Sequence, residues 1–124
     1  MAIDLLVKLS VTEKGNKDAE KHIFEPFLAK DEELIFVYNN IRDRIAFTSK
    51  KIISYDVKGF TGSKKEYRFF LYSKITSFAV ETSGLFDYDS DFVIWVSGLG
   101  KFEIKFGRKL DIKELGTFIS SKLS

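Results

Sequence analysis

FVIWVSGLGKFEIKF, residues 92–106, decides the fold. Its second half alternates: Phe102, Ile104 and Phe106 fall on one side of an extended chain, and Lys101, Glu103 and Lys105 on the other. That period of two marks a strand with one wet face. Residues 92–96 differ, with Phe92, Ile94 and Val96 on one side and Val93 and Trp95 on the other, so both sides are apolar. Ser97 to Gly100, carrying two glycines, supplies the reversal between them. The stretch therefore predicts an antiparallel ribbon with one face on a core and a second apolar face, at Val93 and Trp95, that something must cover.

Working upstream, residues 34–37, 44–48, 51–57, 67–72 and 75–82 are further short runs rich in β-branched and aromatic side chains. Asn39, Asn40, Arg42 and Asp43 suit the first reversal, Ser49 and Lys50 a tight second one, and GFTGSKK at 59–65 a looser third. Seven strands result. Downstream, Asp111 with Glu114 three residues later is a capping-box signature, and Ile112, Leu115, Phe118, Ile119 and Leu123 share one helical face. Gly116 costs that helix about 1 kcal/mol relative to Ala, so packing must hold it. Near the amino terminus, Leu5 and Leu9 are four residues apart, which predicts a short helix with one greasy side. A second helix is expected from near Asp18 through Ile23, Phe24, Phe27 and Leu28, limited by Pro26. The chain is thus divided into a helical extension, residues 1–31, and a mainly β domain, residues 32–124, in which seven antiparallel strands form two sheets or a barrel capped by the last helix.

A chain of 124 residues is the size of one domain. Twenty Lys plus Arg against eighteen Asp plus Glu give a net charge of +2, too small to indicate nucleic acid or an anionic membrane as an obligatory partner. The absence of cysteine excludes a disulfide framework, thiol catalysis and thiolate metal sites, and the single His disfavours a zinc site. No apolar run reaches the ~18 residues of a membrane span, and the first ten residues lack the basic start and cleavage site of a signal peptide. A soluble cytoplasmic protein is the expectation.

Few residues offer chemistry. His22 is the only imidazole and sits in a charged connection. Asp87, Asp89 and Asp91 have the alternating carboxylates of a hard-cation loop, but Phe92 and Gly98 stand where an EF-hand needs Gly and Glu, so a solvated turn is expected and no metal. The glycines and lysines of residues 59–65 are the nearest thing to an anion cradle, without Walker spacing or a following helix. Lys64 and Lys65, with Lys50 and Lys51, are therefore the candidate anion-binding set. Arg42 and Arg44 flank Asp43 and suit pairing with an acid. With no nucleophile and base in view, the chain is expected to be neither an enzyme nor a cofactor carrier.

The order and spacing of several stretches resemble the bacterial pleckstrin-homology-like family: RDRIAFTSKKII at 42–53, GFTGSKKEY at 59–67, YSKI at 72–75 and FAVETSGLFDYDSDFVIWVSG at 78–98. Leu71 stands where the family usually has Pro, and Asp91 where it has Glu. The resemblance implies two near-orthogonal antiparallel sheets closed by the C-terminal helix, in agreement with the strand pattern. It further implies homo-oligomers, including rings, that associate through sheets. It does not import lipid binding, because the superfold hosts unrelated functions and the first hairpin lacks the lysine of the headgroup-binding set.

The leading expectation is a non-enzymatic homo-oligomeric interaction domain, with Val93, Trp95, Leu5, Leu6 and Leu9 as candidate interface. Peripheral binding of an anionic headgroup or phosphate through the four lysines is the alternative.

Overall fold

The computed structural model describes residues 5–58, 64–82 and 89–123. Nine strands and two α-helices lie within them: β1 Leu5–Val11, β2 Glu13–Lys14, α1 Lys17–Phe24, β3 Leu34–Asn39, β4 Arg44–Thr48, β5 Lys51–Lys58, β6 Lys64–Leu71, β7 Ile75–Thr82, β8 Ser90–Val96, β9 Gly100–Phe106 and α2 Ile112–Leu123. The seven strands read from the sequence are β3 to β9. They are distributed over a four-stranded sheet in the order β1-β9-β8-β7 and a five-stranded sheet in the order β2-β3-β4-β5-β6, which pack on each other without closing into a barrel.

The first strand corrects the expected amino-terminal helix. β1 runs parallel to β9, with Leu9 opposite Ile104 and Val11 opposite Phe106, so the four-stranded sheet is mixed and not antiparallel throughout. A spacing of four satisfies a period of two as well as a helical turn. The residues that separate the cases are Lys8 and Ser10, exposed, alternating with Leu9 and Val11, buried. Just beyond, β2 pairs with Tyr38 and Asn39 of β3. Residues before position 31 therefore contribute strands to both sheets.

Among the described residues, one α-helix precedes β3. Asn16 caps it, its side-chain oxygen accepting from the backbone N–H of Asp18 and Ala19 at 2.9 and 3.1 Å. Pro26 converts its continuation to a 3₁₀ turn, Glu25–Phe27. At the other end, Asp111 caps α2 as its sequence indicates, accepting from Lys113 N–H at 3.0 Å. Gly98 turns β8 into β9 with φ of 76°, a conformation that only glycine adopts without strain.

The main core lies between the sheets, where Phe47, Phe92, Phe102, Phe106, Leu115 and Ile119 are buried with Leu9 and Val11. A smaller core lies on the outer face of the five-stranded sheet: Phe24 of α1 sits on Val37, Ala46, Ile53 and Tyr55. That sheet is apolar on both faces, and α1 with its 3₁₀ extension covers the outer one.

Candidate interaction surface

Strand β8 occupies the interior of the four-stranded sheet. Its inward residues Phe92 and Ile94 are fully buried, and its outward residues are Asp91, Val93 and Trp95. Cross-strand register sets Trp95 between Ser77 and Lys101, Val93 between Ala79 and Glu103, and Asp91 between Glu81 and Lys105. Lys101 and Glu103 are bridged along β9 at 3.0 Å. The result is a hollow of about 120 Å³ floored by Val93 and Trp95 and framed by Lys8, Lys101 and Lys105 with Glu81, Asp91 and Glu103. Three cations and three anions make the frame neutral.

The two apolar residues differ in exposure. Val93 is only 5% exposed in the isolated chain, while Trp95 is half-buried. The long stems of the flanking Lys and Glu side chains suffice for a valine and not for an indole. No helix of the described residues shares this face, since α1 packs on the other sheet and α2 inserts Leu115 and Ile119 into the inter-sheet core. Leu9, expected at the interface, is instead in that core with 2% exposure. Leu5 and Leu6 lie in β1 at the end of the sheet.

The four candidate lysines do not form one patch. Lys50 pairs with Asp31 at 2.6 Å and Lys51 with Glu32 at 2.6 Å. Lys64 and Lys65 are exposed at the opposite end of the β5–β6 ladder, where Lys64 stands opposite Lys58, while Lys51 stands opposite Leu71. Seven residues of strand separate the two pairs, about 24 Å. Residues 59–63 of the GFTGSKK turn and Asp87 of the acidic run lie outside the described residues.

The Glu32 pair belongs to a buried cluster that sequence reading missed. The Glu32 carboxylate accepts from Ala29 N–H at 2.9 Å, from Lys51 and from the Thr48 hydroxyl, and Tyr72 donates to the Thr48 carbonyl at 2.7 Å. Burial opposes its ionisation, but the hydrogen bonds from Ala29, Lys51 and Thr48 outweigh burial and hold its pKa below the ordinary value. The partners lie 3 to 19 residues apart in sequence, so no local motif announces them. Near the first hairpin, Arg44 pairs with Glu20 at 2.8 Å, and Arg42 donates to the Val57 carbonyl at 3.0 Å. Burial and the neighbouring Asp56 push Asp43 upward. His22 holds its Nδ1 2.9 Å from the Ala19 carbonyl on the exposed side of α1. Among the described residues, no three His, Cys, Asp or Glu side chains converge as a metal site, and no helix is long and apolar enough to cross a membrane.

Comparison with known proteins agrees with this architecture. A protein of the DUF1696 family with a pleckstrin-homology domain, from Shewanella loihica PV-4, superposes with a TM-score of 0.81 at 31% identity, over 90% of this chain and 96% of that one. Two uncharacterized proteins of Bacillus subtilis (strain 168) are similar in sequence. YozO is 36% identical over 107 residues, 86% of this chain and 90% of the relative. YjqA is 42% identical over 71 residues, and the match spans a little over half of each protein, 57%. The family model described as bacterial PH domain matches residues 3–123. With strand order, capping helix and matched span in accord, the chain belongs to the bacterial PH domain family.

Proposed function

We propose that this PH domain is a non-catalytic interaction module that works as a homo-oligomer in the cytoplasm, copies meeting on the outer face of the four-stranded sheet. The observation that carries it is Trp95, a half-buried indole at the centre of a charge-balanced frame with no helix above it. An aromatic anchor within a polar rim is the composition of an interface centre. A neutral frame of alternating sign fits a second copy of itself better than a strongly charged ligand.

The ends of the same sheet support a ring. β1 carries a single charge, Lys8, and β7 a single charge, Glu81, and both reach the outer face. Copies stacked on this face with a head-to-tail offset bring Glu81 of one beside Lys8 of the next, and such a heterologous contact closes when the rotation does. Light scattering coupled to size exclusion tests the reading, with an oligomer for the wild type and a smaller species for Trp95→Glu. A monomer at tens of micromolar, with Trp95 emission typical of water exposure, overturns it.

A further inference from the structure

The other sheet has an unmatched end of its own. Among the described residues β6 pairs with β5 alone, leaving a row of backbone N–H and C=O groups along its far edge. On the outer face of that edge, Phe69 is 41% exposed and Leu71 50%, and Phe27 of the 3₁₀ turn, also 41% exposed, stacks 5.3 Å from Phe69 and 4.5 Å from Tyr67. On the inner face, Glu66 and Arg68 pair at 3.1 Å with a third of each side chain in solvent. A strand edge with unmatched backbone groups supplies the hydrogen bonds of strand addition, and the exposed aromatic strip beside it supplies apolar area to bury.

We propose that β6 pairs antiparallel with β6 of a second copy about a two-fold axis at Tyr67, joining two five-stranded sheets into one. Charge selects this register. With Tyr67 on the axis, Glu66 of each copy faces Arg68 of the other, and Lys65 faces Phe69. An axis at Arg68 opposes two guanidiniums, one at Glu66 opposes two carboxylates, and one at Phe69 sets Arg68 against Phe70 and Glu66 against Tyr72, so that neither charge meets an opposite one across the strand pair. At the chosen axis the outer face brings Tyr67 against Tyr67, each with Phe69 on its diagonal and Phe27 over it, so the exposed aromatics of both copies merge into one cluster. The contact is isologous, and it is independent of the Trp95 face, which lies on the other sheet.

Sedimentation velocity on Trp95→Glu, which removes the sheet-face contact, tests it. A concentration-dependent dimer is expected in that background. Glu66→Arg and Arg68→Glu each place four like charges at the axis and weaken the dimer by about 10-fold or more, whereas the two changes together restore it. Because the chain has no cysteine, Tyr67→Cys gives a second readout. Its copies come within disulfide reach at the axis and cross-link on oxidation, while those of Lys65→Cys, about 13 Å apart, do not. A Trp95→Glu protein that stays monomeric, charge reversals without effect, or equal cross-linking of the two cysteine variants overturns the β6 contact. Assembly lost with Trp95→Glu and untouched at β6 supports the sheet-face reading alone, assembly lost only at β6 supports this contact alone, and a solitary wild-type chain ends both.

Discussion

The outer faces of the two sheets began with the same difficulty and met it differently. β5 and β8 both carry apolar residues on both sides. On the five-stranded sheet a helix was available, and α1 with Phe24 seals Val37, Ala46, Ile53 and Tyr55 into a second core. On the four-stranded sheet the described residues offer only side-chain stems, and they hide Val93 but leave Trp95 partly exposed. An apolar second face thus requires a cover without specifying its kind. The energetic weight of the two faces should differ accordingly, the covered one contributing to folding and the uncovered one to association.

Phe24→Ala should break the covered face, costing about 3–5 kcal/mol because Phe24 is fully buried under α1. Urea denaturation with the slope held fixed checks it, and a loss under 1 kcal/mol would mean that α1 is an ornament on the sheet. Glu32→Gln should cost about 2–4 kcal/mol, since Lys51 and Thr48 lose a buried carboxylate where the chain returns from the cover to β3. The sign with pH follows from the lowered pKa of Glu32. Its contribution is complete above the ordinary value of 4.5 and is lost as pH falls through the lower folded value. The wild type should therefore lose its advantage over Glu32→Gln in acid, which thermal melts from pH 7 down to below 4 would reveal.

Trp95→Ala should cost the isolated fold less than Phe24→Ala, about 1–2 kcal/mol, while reducing assembly, an effect that Phe24→Ala should not have beyond its loss of stability. Comparing melts at high and low protein concentration separates the two effects. Smallest is Gly116→Ala in α2, which serves the inter-sheet core and neither outer face. A Cβ there meets nothing within 4 Å, so the change should stabilise by about 0.5–1 kcal/mol without altering assembly.

The strands from β3 to β9 and the last helix were legible because each has an unambiguous period, as in Lys101 to Phe106, or an explicit cap, as at Asp111. β1 was not, because the spacing of Leu5 and Leu9 suits either period and its partner β9 lies far along the chain. Of the candidate interface, Val93 and Trp95 were placed on the outer face by alternation alone. Leu9 was misplaced with its helix. The lysine set was grouped by residue type and charge, which carry no information on distance, and a hairpin separates Lys51 from Lys64 by its full length. Phe69 and Leu71 show the same two-sided apolar pattern as β8, in Tyr67, Phe69 and Leu71 against Phe70 and Tyr72, but which strands end a sheet emerges only from the assembled topology.

The parallel ladder between β1 and β9 also sets an order of events. Leu9 and Ile104 become neighbours although they stand 95 positions apart in sequence, and loop closure of that span is slow compared with the hairpins from β3 to β6. The five-stranded sheet and its helix can therefore form while β1 waits, and the last cooperative step is the docking of an early segment against a late one. Until that step, the edge of β9 is open, and a strand from another chain would find the same ladder vacant.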